Sequence, residues 1–216
     1  MKFSAVIFDW DGTLGKTLHL WLTGYRIELE KLGFFLSDEI IIRDFFYEHD
    51  KASIKYPTIN FELLVKGVHT YINNNINSLG TYTGARAALE QLQSSGISLA
   101  LVSSSPRKIL KEALEDTGLT QFFPTIVSGD DIMRHKPDPE PFEQAIEVGH
   151  FDRGTTLILG DSYSDIIAAK ATKIESCLFL PSDNRLFYDF DELKKTEPTY
   201  CVETLESFAN LVTQGA

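Results

Sequence analysis

The chain has 216 residues, of which 43% are hydrophobic and 24% are charged, and this composition excludes a wholly disordered protein. It holds 20 lysines and arginines against 31 aspartates and glutamates, so its formal net charge is −11. A nucleic-acid-binding protein needs a basic face to meet the phosphates, so this charge argues against one. The length fits one domain, or one domain with a small insert.

The sequence gives no sign of a membrane span or of secretion. No apolar run approaches the roughly 18 residues that a membrane-spanning helix needs. The apolar start of the chain meets Asp9 too early for a signal peptide. Cys177 and Cys201 form no metal-binding spacing. We therefore expect a cytoplasmic protein that binds neither a membrane nor nucleic acid.

A buried strand, Ala5–Phe8, is the first predicted element, and a helical segment follows it. Apolar residues recur at helical spacing in three stretches: Leu18–Leu32, Ile40–Tyr47 and Phe61–Ile72. Gly33 is expected to end the first of these helices, and Ser37 to begin the second. The pattern predicts a small all-helical domain over residues 15–81.

From residue 80 onward, short apolar runs alternate with amphipathic stretches. The predicted strands are Ile97–Val102, Thr125–Val127, Thr155–Leu159 and Ser176–Leu180. The predicted helices are Ala85–Gln93, Pro106–Thr117, Pro141–Val148 and Asp165–Ala171. Ser105 is expected as an N-cap, with Pro106 at the first helical position. The alternation predicts an α/β core over residues 1–14 and 82–216, a parallel sheet with helices on both faces.

The helical insert leaves the sheet beside the end of its first strand. Open α/β sheets bind ligands beyond the carboxyl ends of their strands, so the insert is expected to cap the site. Gly15 on one side, and Gly80 or Gly84 on the other, are the expected hinges, because glycine tolerates large changes of backbone dihedral angle.

Chemically useful side chains follow four of the predicted strands. They are Asp9 and Asp11 after the first, Ser103 after the second, Lys136 in a proline-rich loop after the third, and Asp161 and Asp165 after the fourth. Carboxyl ends of parallel strands share one edge of a sheet, so we expect these side chains to lie together. Carboxylates paired at a strand exit can share a divalent cation.

In chain order, these segments resemble the four motifs of the haloacid dehalogenase (HAD) superfamily: Asp9-x-Asp11-Gly12-Thr13, Ser103, Lys136 and Gly160-Asp161-Ser162-x-x-Asp165. The insert is similar in position to a type 1 helical cap. The resemblance implies a Rossmann-like core, dependence on Mg²⁺ and an aspartyl-phosphate intermediate. It implies a phosphoglycolate phosphatase-like hydrolase of a small phosphorylated metabolite, and we expect a monomer or a homodimer.

A metal ion would offset the electrostatic repulsion between the nucleophile and the phosphate. At about 4 Å and an effective dielectric near 20, a carboxylate and a phosphate dianion repel each other by roughly 8 kcal/mol. Mg²⁺ prefers oxygen ligands, so Asp9 and Asp161 are the expected side-chain ligands. The resemblance adds Asp11 through its backbone carbonyl, and Asp165 as a ligand or as a neighbour of one. Lys136 supplies a second cation.

The resemblance also implies catalytic and substrate-binding roles. Asp9 is the nucleophile, and Asp11 gives a proton to the leaving oxygen and later takes one from water. Ser103 donates a hydrogen bond to a phosphoryl oxygen, helped by the backbone N–H groups that follow it. The implied catalytic set is Asp9, Asp11, Ser103 and Lys136. The implied phosphate-binding set is Thr13, Ser103, Ser104 and Lys136.

Two alternatives stay open: a hexose phosphomutase similar to β-phosphoglucomutase, and a non-catalytic phosphate-binding or regulatory protein. Phosphatases and phosphomutases of the family share an aspartate at the place of Asp11. In β-phosphoglucomutase-like relatives a histidine stands twelve residues after the nucleophile, where this chain has Trp21, and this argues against a mutase. Lys16 and His19 lie nearby as further candidates for contact with substrate.

Overall fold

The computed structural model of the protein describes residues 2–46, 49–78 and 80–214, and these fall into two units. One unit joins Met1–Lys16 to Gly80–Ala216, and the other is the insert Thr17–Leu79. None of the helices within the described ranges is both long and apolar enough to cross a membrane.

The insert is built from helices. Its described helices are α1 (Leu18–Lys31), α2 (Asp38–Phe45), α3 (His49–Lys55) and α4 (Phe61–Asn75), and a 3₁₀ turn follows at Ile76–Ser78. α1 packs on α4 and buries Leu22 and Leu29 together with Leu64, Val68 and Ile72. These apolar residues recur seven positions apart in α1 and four apart in α4, which places them on one face of each helix.

The termini of these helices follow the sequence prediction in part. Gly33, with a φ of 84°, comes just after α1, and Ser37 precedes α2 as predicted. Leu32 lies beyond the end of α1 and is 42% exposed, so its assignment to the apolar face is wrong. α2 ends at Phe45, and its predicted end at Tyr47 lies outside the described residues. The sequence does not predict α3, because its polar composition carries no apolar stripe.

The strands of the other unit form one parallel sheet. Those described are β1 (Ala5–Asp9), β2 (Ser98–Val102), β3 (Thr125–Val127), β4 (Thr156–Gly160), β5 (Glu175–Phe179) and β6 (Tyr200–Val202). Their order across the sheet is β3-β2-β1-β4-β5-β6, so β1 pairs with β2 and β4. The five predicted strands are confirmed to within one residue at each end. The sequence misses β6, since its three residues are too few to show a pattern.

Helices cover both faces of this sheet, as predicted. They are α5 (Ala85–Ser94), α6 (Arg107–Thr117), α7 (Glu140–Gly149), α8 (Tyr163–Thr172), α9 (Phe190–Lys194) and α10 (Leu205–Gln214). Ile7 of β1 packs in one core cluster with Phe142 of α7 and Ala168 of α8. The next residue, Phe8, meets Phe208 of α10 with ring centroids 5.6 Å apart. Successive strand residues point to opposite faces, so both faces of β1 are buried.

The start of α6 corrects one prediction. The helix begins at Arg107, so Ser105 is not its cap, and Pro106 is extended (φ −54°, ψ 143°) rather than helical. The backbone N–H of Arg107 donates to Asp130 Oδ2 at 2.7 Å. The Ser105 hydroxyl donates to Asp11 Oδ2 instead, at 2.8 Å. Both partners are distant in sequence, which is why local spacing gave the wrong answer.

The two chain connections to the insert run side by side and are paired through Gly15 and Thr81. Next to this pair lies the indole of Trp10, which is buried. A Cβ on Gly15 would stand only 2.7 Å from Cε2 of that indole. The absent side chain of Gly15 therefore makes room for Trp10.

Gly15→Ala is expected to lower the free energy of unfolding by about 1–3 kcal/mol, because the added methyl group overpacks the Trp10 indole. Gly80→Ala is the matched control in the other connection. A Cβ there meets no described atom within 4 Å, so that change is expected to be neutral or slightly stabilising. Urea unfolding followed by tryptophan fluorescence compares the two variants, and equal stability would contradict the packing argument.

Candidate active site

The parallel sheet brings the predicted catalytic segments to one edge. Asp9 is the last residue of β1, Ser103 follows β2, and Asp161 follows β4. Because β1 lies between β2 and β4, these three positions are neighbours. Lys136 reaches the same edge from the loop between β3 and α7.

A buried lysine bridges two of the aspartates. Lys136 Nζ donates to Asp9 Oδ1 at 2.6 Å and to Asp165 Oδ1 at 2.7 Å, and its side chain is only 5% exposed. Burial by itself lowers the pKa of this ammonium group. The carboxylates of Asp165 and Asp9 outweigh burial and hold the pKa above its ordinary value. Lys136 therefore stays charged at neutral pH.

Three buried carboxylates crowd around this lysine. Asp9, Asp161 and Asp165 each present an oxygen, and the three oxygens lie within 4.8 Å of one another. Burial raises the pKa of Asp9 to about 7, although Lys136 opposes the shift. Burial also raises the pKa of Asp161, and repulsion from Asp9 and Asp165 adds to the effect. Lys136 supplies one positive charge to three carboxyl groups, so the group favours a further cation.

This cluster has the chemistry of a site for a hard divalent cation. Asp9 Oδ2 is buried and has no hydrogen-bond partner among the described residues. Leaving a buried polar atom unpaired costs about 1–3 kcal/mol or more, so the atom is suited to an incoming ligand. The donors are carboxylate oxygens, which Mg²⁺ prefers. The cluster of Asp9, Asp161 and Asp165 therefore fits Mg²⁺.

The Asp11 carboxylate belongs to a second group. Its Oδ2 accepts hydrogen bonds from Ser103 Oγ at 3.0 Å and from Ser105 Oγ at 2.8 Å. Ser103 Oγ also accepts a hydrogen bond from the backbone N–H of Ser105, at 3.0 Å. Two hydroxyl groups thus orient the Asp11 carboxylate beside the end of β2. Local sequence does not predict Ser105 in the site, because Ser105 followed by Pro106 favours a helix N-cap; the available signal is the run of three serines after β2.

Asp165 also takes part in the N-terminal cap of α8, in addition to its contact with Lys136. Its Oδ2 accepts hydrogen bonds from the backbone N–H of Ser162 at 3.1 Å and from Ser162 Oγ at 2.5 Å. This capping box starts α8 at Tyr163, earlier than the predicted start at Asp165. A Cβ on Gly160 would lie 2.4 Å from that of Asp165, so the glycine lets β4 and α8 approach. The cap fixes the carboxylate that orients Lys136.

The remaining predicted contacts are spread out. Thr13 is fully buried, and its Oγ1 has no hydrogen-bond partner within the described part of the chain. Ser104 is exposed. Lys16 forms an ion pair with Asp183 at 2.6 Å and lies over the ring of Tyr82.

One further residue enters the site without a prediction from the sequence. Asn184 lies on the 3₁₀ turn Ser182–Leu186, which follows β5. Its Nδ2 donates to Asp161 Oδ2 and to the carbonyl oxygen of Gly12, both at 2.9 Å. The only signal in the sequence is a polar turn at the carboxyl end of a strand, and such turns are common in loops.

The chain is similar to known proteins over most of its length. The family model for haloacid dehalogenase-like hydrolase matches residues 6–179. A relative named as a candidate pyrophosphatase PpaX, from Caldanaerobacter subterraneus, is 30% identical over 98% of this chain and 96% of its own. A phosphoglycolate phosphatase from Neisseria gonorrhoeae is 30% identical over 77% of this chain and 75% of its own.

A solved structure extends the comparison to three dimensions. It comes from Thermotoga maritima and is named as a candidate β-phosphoglucomutase. It superposes with a TM-score of 0.78 at 28% identity, covering 99% of this chain and all of that one (100%). Sequence and fold comparisons therefore both extend over nearly the whole chain.

Asp161→Asn is expected to stabilise the metal-free protein although it removes a candidate metal ligand. The amide keeps the side-chain volume and removes one of the crowded charges, so the free energy of unfolding should rise by about 1–3 kcal/mol in chelator at pH 7. Lys136→Met, the contrasting variant, should lower it by about 3–5 kcal/mol because it leaves buried carboxylates uncompensated. Denaturant unfolding measures both, and a loss of stability in Asp161→Asn would contradict the charge argument.

The crowding of the buried carboxyl groups also determines whether the stability of the metal-free protein rises or falls with pH. The pKa of Asp9 rises from 3.8 to about 7 on folding, so between these values the folded protein binds more protons than the unfolded one. Stability in chelator should therefore fall as the pH rises from about 4 to 7, with a flatter fall in Asp161→Asn.

Proposed function

The chain belongs to the haloacid dehalogenase-like hydrolase family, and on this basis we propose that it is a Mg²⁺-dependent phosphatase of small phosphate monoesters. The reaction proceeds through an aspartyl-phosphate on Asp9. One observation carries this proposal: Lys136 holds Asp9 through Oδ1, while Oδ2 has no hydrogen-bond partner among the residues described. Such a carboxylate is oriented and still has an oxygen available for the reaction.

Asp9, Asp161 and Asp165 would hold Mg²⁺ through their side chains, with Asp11 adding its backbone carbonyl. When bound, the ion would neutralise charge on the phosphoryl group that is transferred. The contacts of Lys136 support its role as a fixed second cation at the same place. Since Lys136 keeps its charge at neutral pH, it offsets part of the repulsion between the Asp9 carboxylate and an incoming phosphate.

In the first step, a carboxylate oxygen of Asp9 forms a bond to phosphorus as the bond from phosphorus to the ester oxygen breaks. Protonated Asp11 gives its proton to that leaving oxygen. Ser103 donates a hydrogen bond to a phosphoryl oxygen, and Lys136 contacts another. The product alcohol then leaves, and the phosphoryl group stays on Asp9.

In the second step, the Asp11 carboxylate takes a proton from water as the water oxygen attacks phosphorus. The bond between phosphorus and Asp9 breaks, inorganic phosphate leaves, and Asp11 is protonated again. Ser103 and Ser105 orient the carboxylate that serves both steps. A single acid next to the nucleophile can act in this way because the two steps need the proton in opposite directions.

The names of the relatives support a substrate class. They specify a pyrophosphatase and a phosphoglycolate phosphatase, and both substrates are small anions with a terminal phosphoryl group. We infer that this chain acts on a small phosphorylated metabolite of that kind. The structural neighbour named for β-phosphoglucomutase keeps a mutase as the second candidate. Against it, Trp21 stands where the mutase-like histidine is expected, and its ring packs edge-on against His69 at 5.8 Å.

Variants of the two N-terminal aspartates separate nucleophile from acid–base catalyst. With Mg²⁺ and p-nitrophenyl phosphate, Asp9→Asn should release no p-nitrophenol and form no phosphoenzyme. Asp11→Asn should release about one equivalent in a burst, since this leaving group needs no proton, and then turn over about 10²–10⁴-fold slower than wild type. Asp116→Asn, an exposed aspartate on α6, is the control with normal turnover. Covalent phosphate in Asp9→Asn would refute the assignment.

A turnover assay separates the candidate functions. The wild-type protein should release many equivalents of inorganic phosphate from phosphoglycolate or pyrophosphate, lose this activity in chelator and regain it with added Mg²⁺. Interconversion of glucose 1-phosphate and glucose 6-phosphate with little phosphate release would favour the mutase. A single equivalent of persistent phosphoenzyme would favour a regulatory protein, and full activity in excess chelator would contradict the metal requirement.

A further inference from the structure

The buried side-chain amide of Asn184 forms hydrogen bonds to residues in and next to the candidate active site. The Asn184 side chain is 2% exposed. The two hydrogens of Nδ2 go to Asp161 Oδ2 and to the carbonyl oxygen of Gly12. Oδ1 accepts a hydrogen bond from the hydroxyl of Tyr82. The amide therefore connects a candidate metal ligand, the turn after the nucleophile and a residue far away in sequence.

Tyr82 determines which way this amide faces. An asparagine can rotate its amide by half a turn, and the rotated form would set Oδ1 against two acceptors, the Asp161 carboxylate and the Gly12 carbonyl. The Tyr82 hydroxyl needs an acceptor and so favours the observed orientation. Burial raises the pKa of Tyr82, which keeps the hydroxyl protonated and able to donate at neutral pH.

Both residues are on well-fixed backbone. The backbone of Asn184 closes its 3₁₀ turn. The N–H of Asn184 donates to Pro181 O at 3.0 Å, and the carbonyl oxygen of Asn184 accepts from Tyr188 N at 3.1 Å. Tyr82 N donates to Leu14 O at 2.9 Å, within the paired connections to the insert. The Tyr82 ring meets Phe179 edge-on, with centroids 5.3 Å apart. Because these contacts hold both residues in place, the direction of the Asn184 amide is well defined.

We propose that Asn184 is a positioning residue for metal binding, held in its working orientation by Tyr82. It directs the Asp161 carboxylate toward the Mg²⁺ site and fixes the Gly12 turn that follows the nucleophile. The inference rests on the Mg²⁺ site of the proposed function. Groups that orient metal ligands commonly change metal affinity or activity 10–100-fold when removed. Tyr82 lies beside the junction with the insert, so the same chain of hydrogen bonds links that junction to the carboxylate cluster.

The test measures Mg²⁺ binding to the metal-free protein by isothermal titration calorimetry, with no substrate present. Asn184→Ala should weaken the Kd for Mg²⁺ about 10–100-fold, and Tyr82→Phe, which removes only the hydroxyl, should weaken it about threefold or more. Asn210→Ala is the matched control, because its amide bonds to Gln91 on a neighbouring helix; its Kd should stay within about twofold of wild type.

Two further measurements separate positioning from a merely structural role. Thermal unfolding in chelator reports the fold without metal, and the Asn184→Ala protein should remain folded there. In steady-state assays, Asn184→Ala should need more Mg²⁺ for half-maximal rate and should recover most of its kcat when Mg²⁺ is saturating. A structural defect would lower stability in chelator and would leave the Mg²⁺ requirement unchanged.

An unchanged Kd for Mg²⁺ in a folded Asn184→Ala protein would overturn this inference while leaving the proposed function intact. If that variant does not fold, Tyr82→Phe decides, and an unchanged Kd there overturns it. Absence of Mg²⁺ binding by the wild-type protein would overturn the metal site itself, and the inference with it.

Discussion

The site depends on the repulsion among three buried carboxylates that share one lysine. Asp9, Asp161 and Asp165 lie within a few ångströms of one another, out of water, and Lys136 balances only one of them. Such a group is unfavourable in a protein that only needs to fold. It persists because the surrounding structure holds it, and the same repulsion that destabilises the metal-free protein favours a cation. Stability and metal affinity at this site are therefore opposite consequences of one electrostatic arrangement.

Several contacts in the core hold these carboxylates together. The carboxylates come from strand ends that a parallel sheet must place at one edge. Asp165 is pinned by the cap of α8, and Gly160 lets that helix come close enough. Asn184 reaches Asp161 from the turn after β5. Each of these contacts uses a backbone or neutral donor, which stabilises a carboxylate without adding a competing positive charge.

The surroundings of Asp11 differ from those of the other three aspartates. Under the proposed mechanism Asp11 gives and later takes a proton, so it has to be oriented without being neutralised by a lysine. Ser103 and Ser105 hold it with hydroxyl groups, which carry no net charge. Lys136 is directed instead to Asp9 and Asp165. The arrangement places the positive charge of Lys136 beside Asp9 and gives the Asp11 carboxylate two hydroxyl donors.

Apolar periodicity and motif spacing are properties of consecutive residues, so the α/β core, the helical insert and the family resemblance can be predicted from the sequence alone. The sequence also places Asp9, Asp161 and Asp165 at strand ends, since a parallel sheet brings strand ends together. The hydrogen-bond partners depend on the three-dimensional fold: Lys136 bridges two aspartates, Ser105 bonds to Asp11 instead of capping α6, and Asn184 bonds to Asp161. Those contacts join residues that lie 23 to 127 positions apart in the sequence. A hydrogen bond between distant segments depends on how the sheet and its loops pack together in three dimensions. The spacing of neighbouring residues in the sequence does not specify that packing.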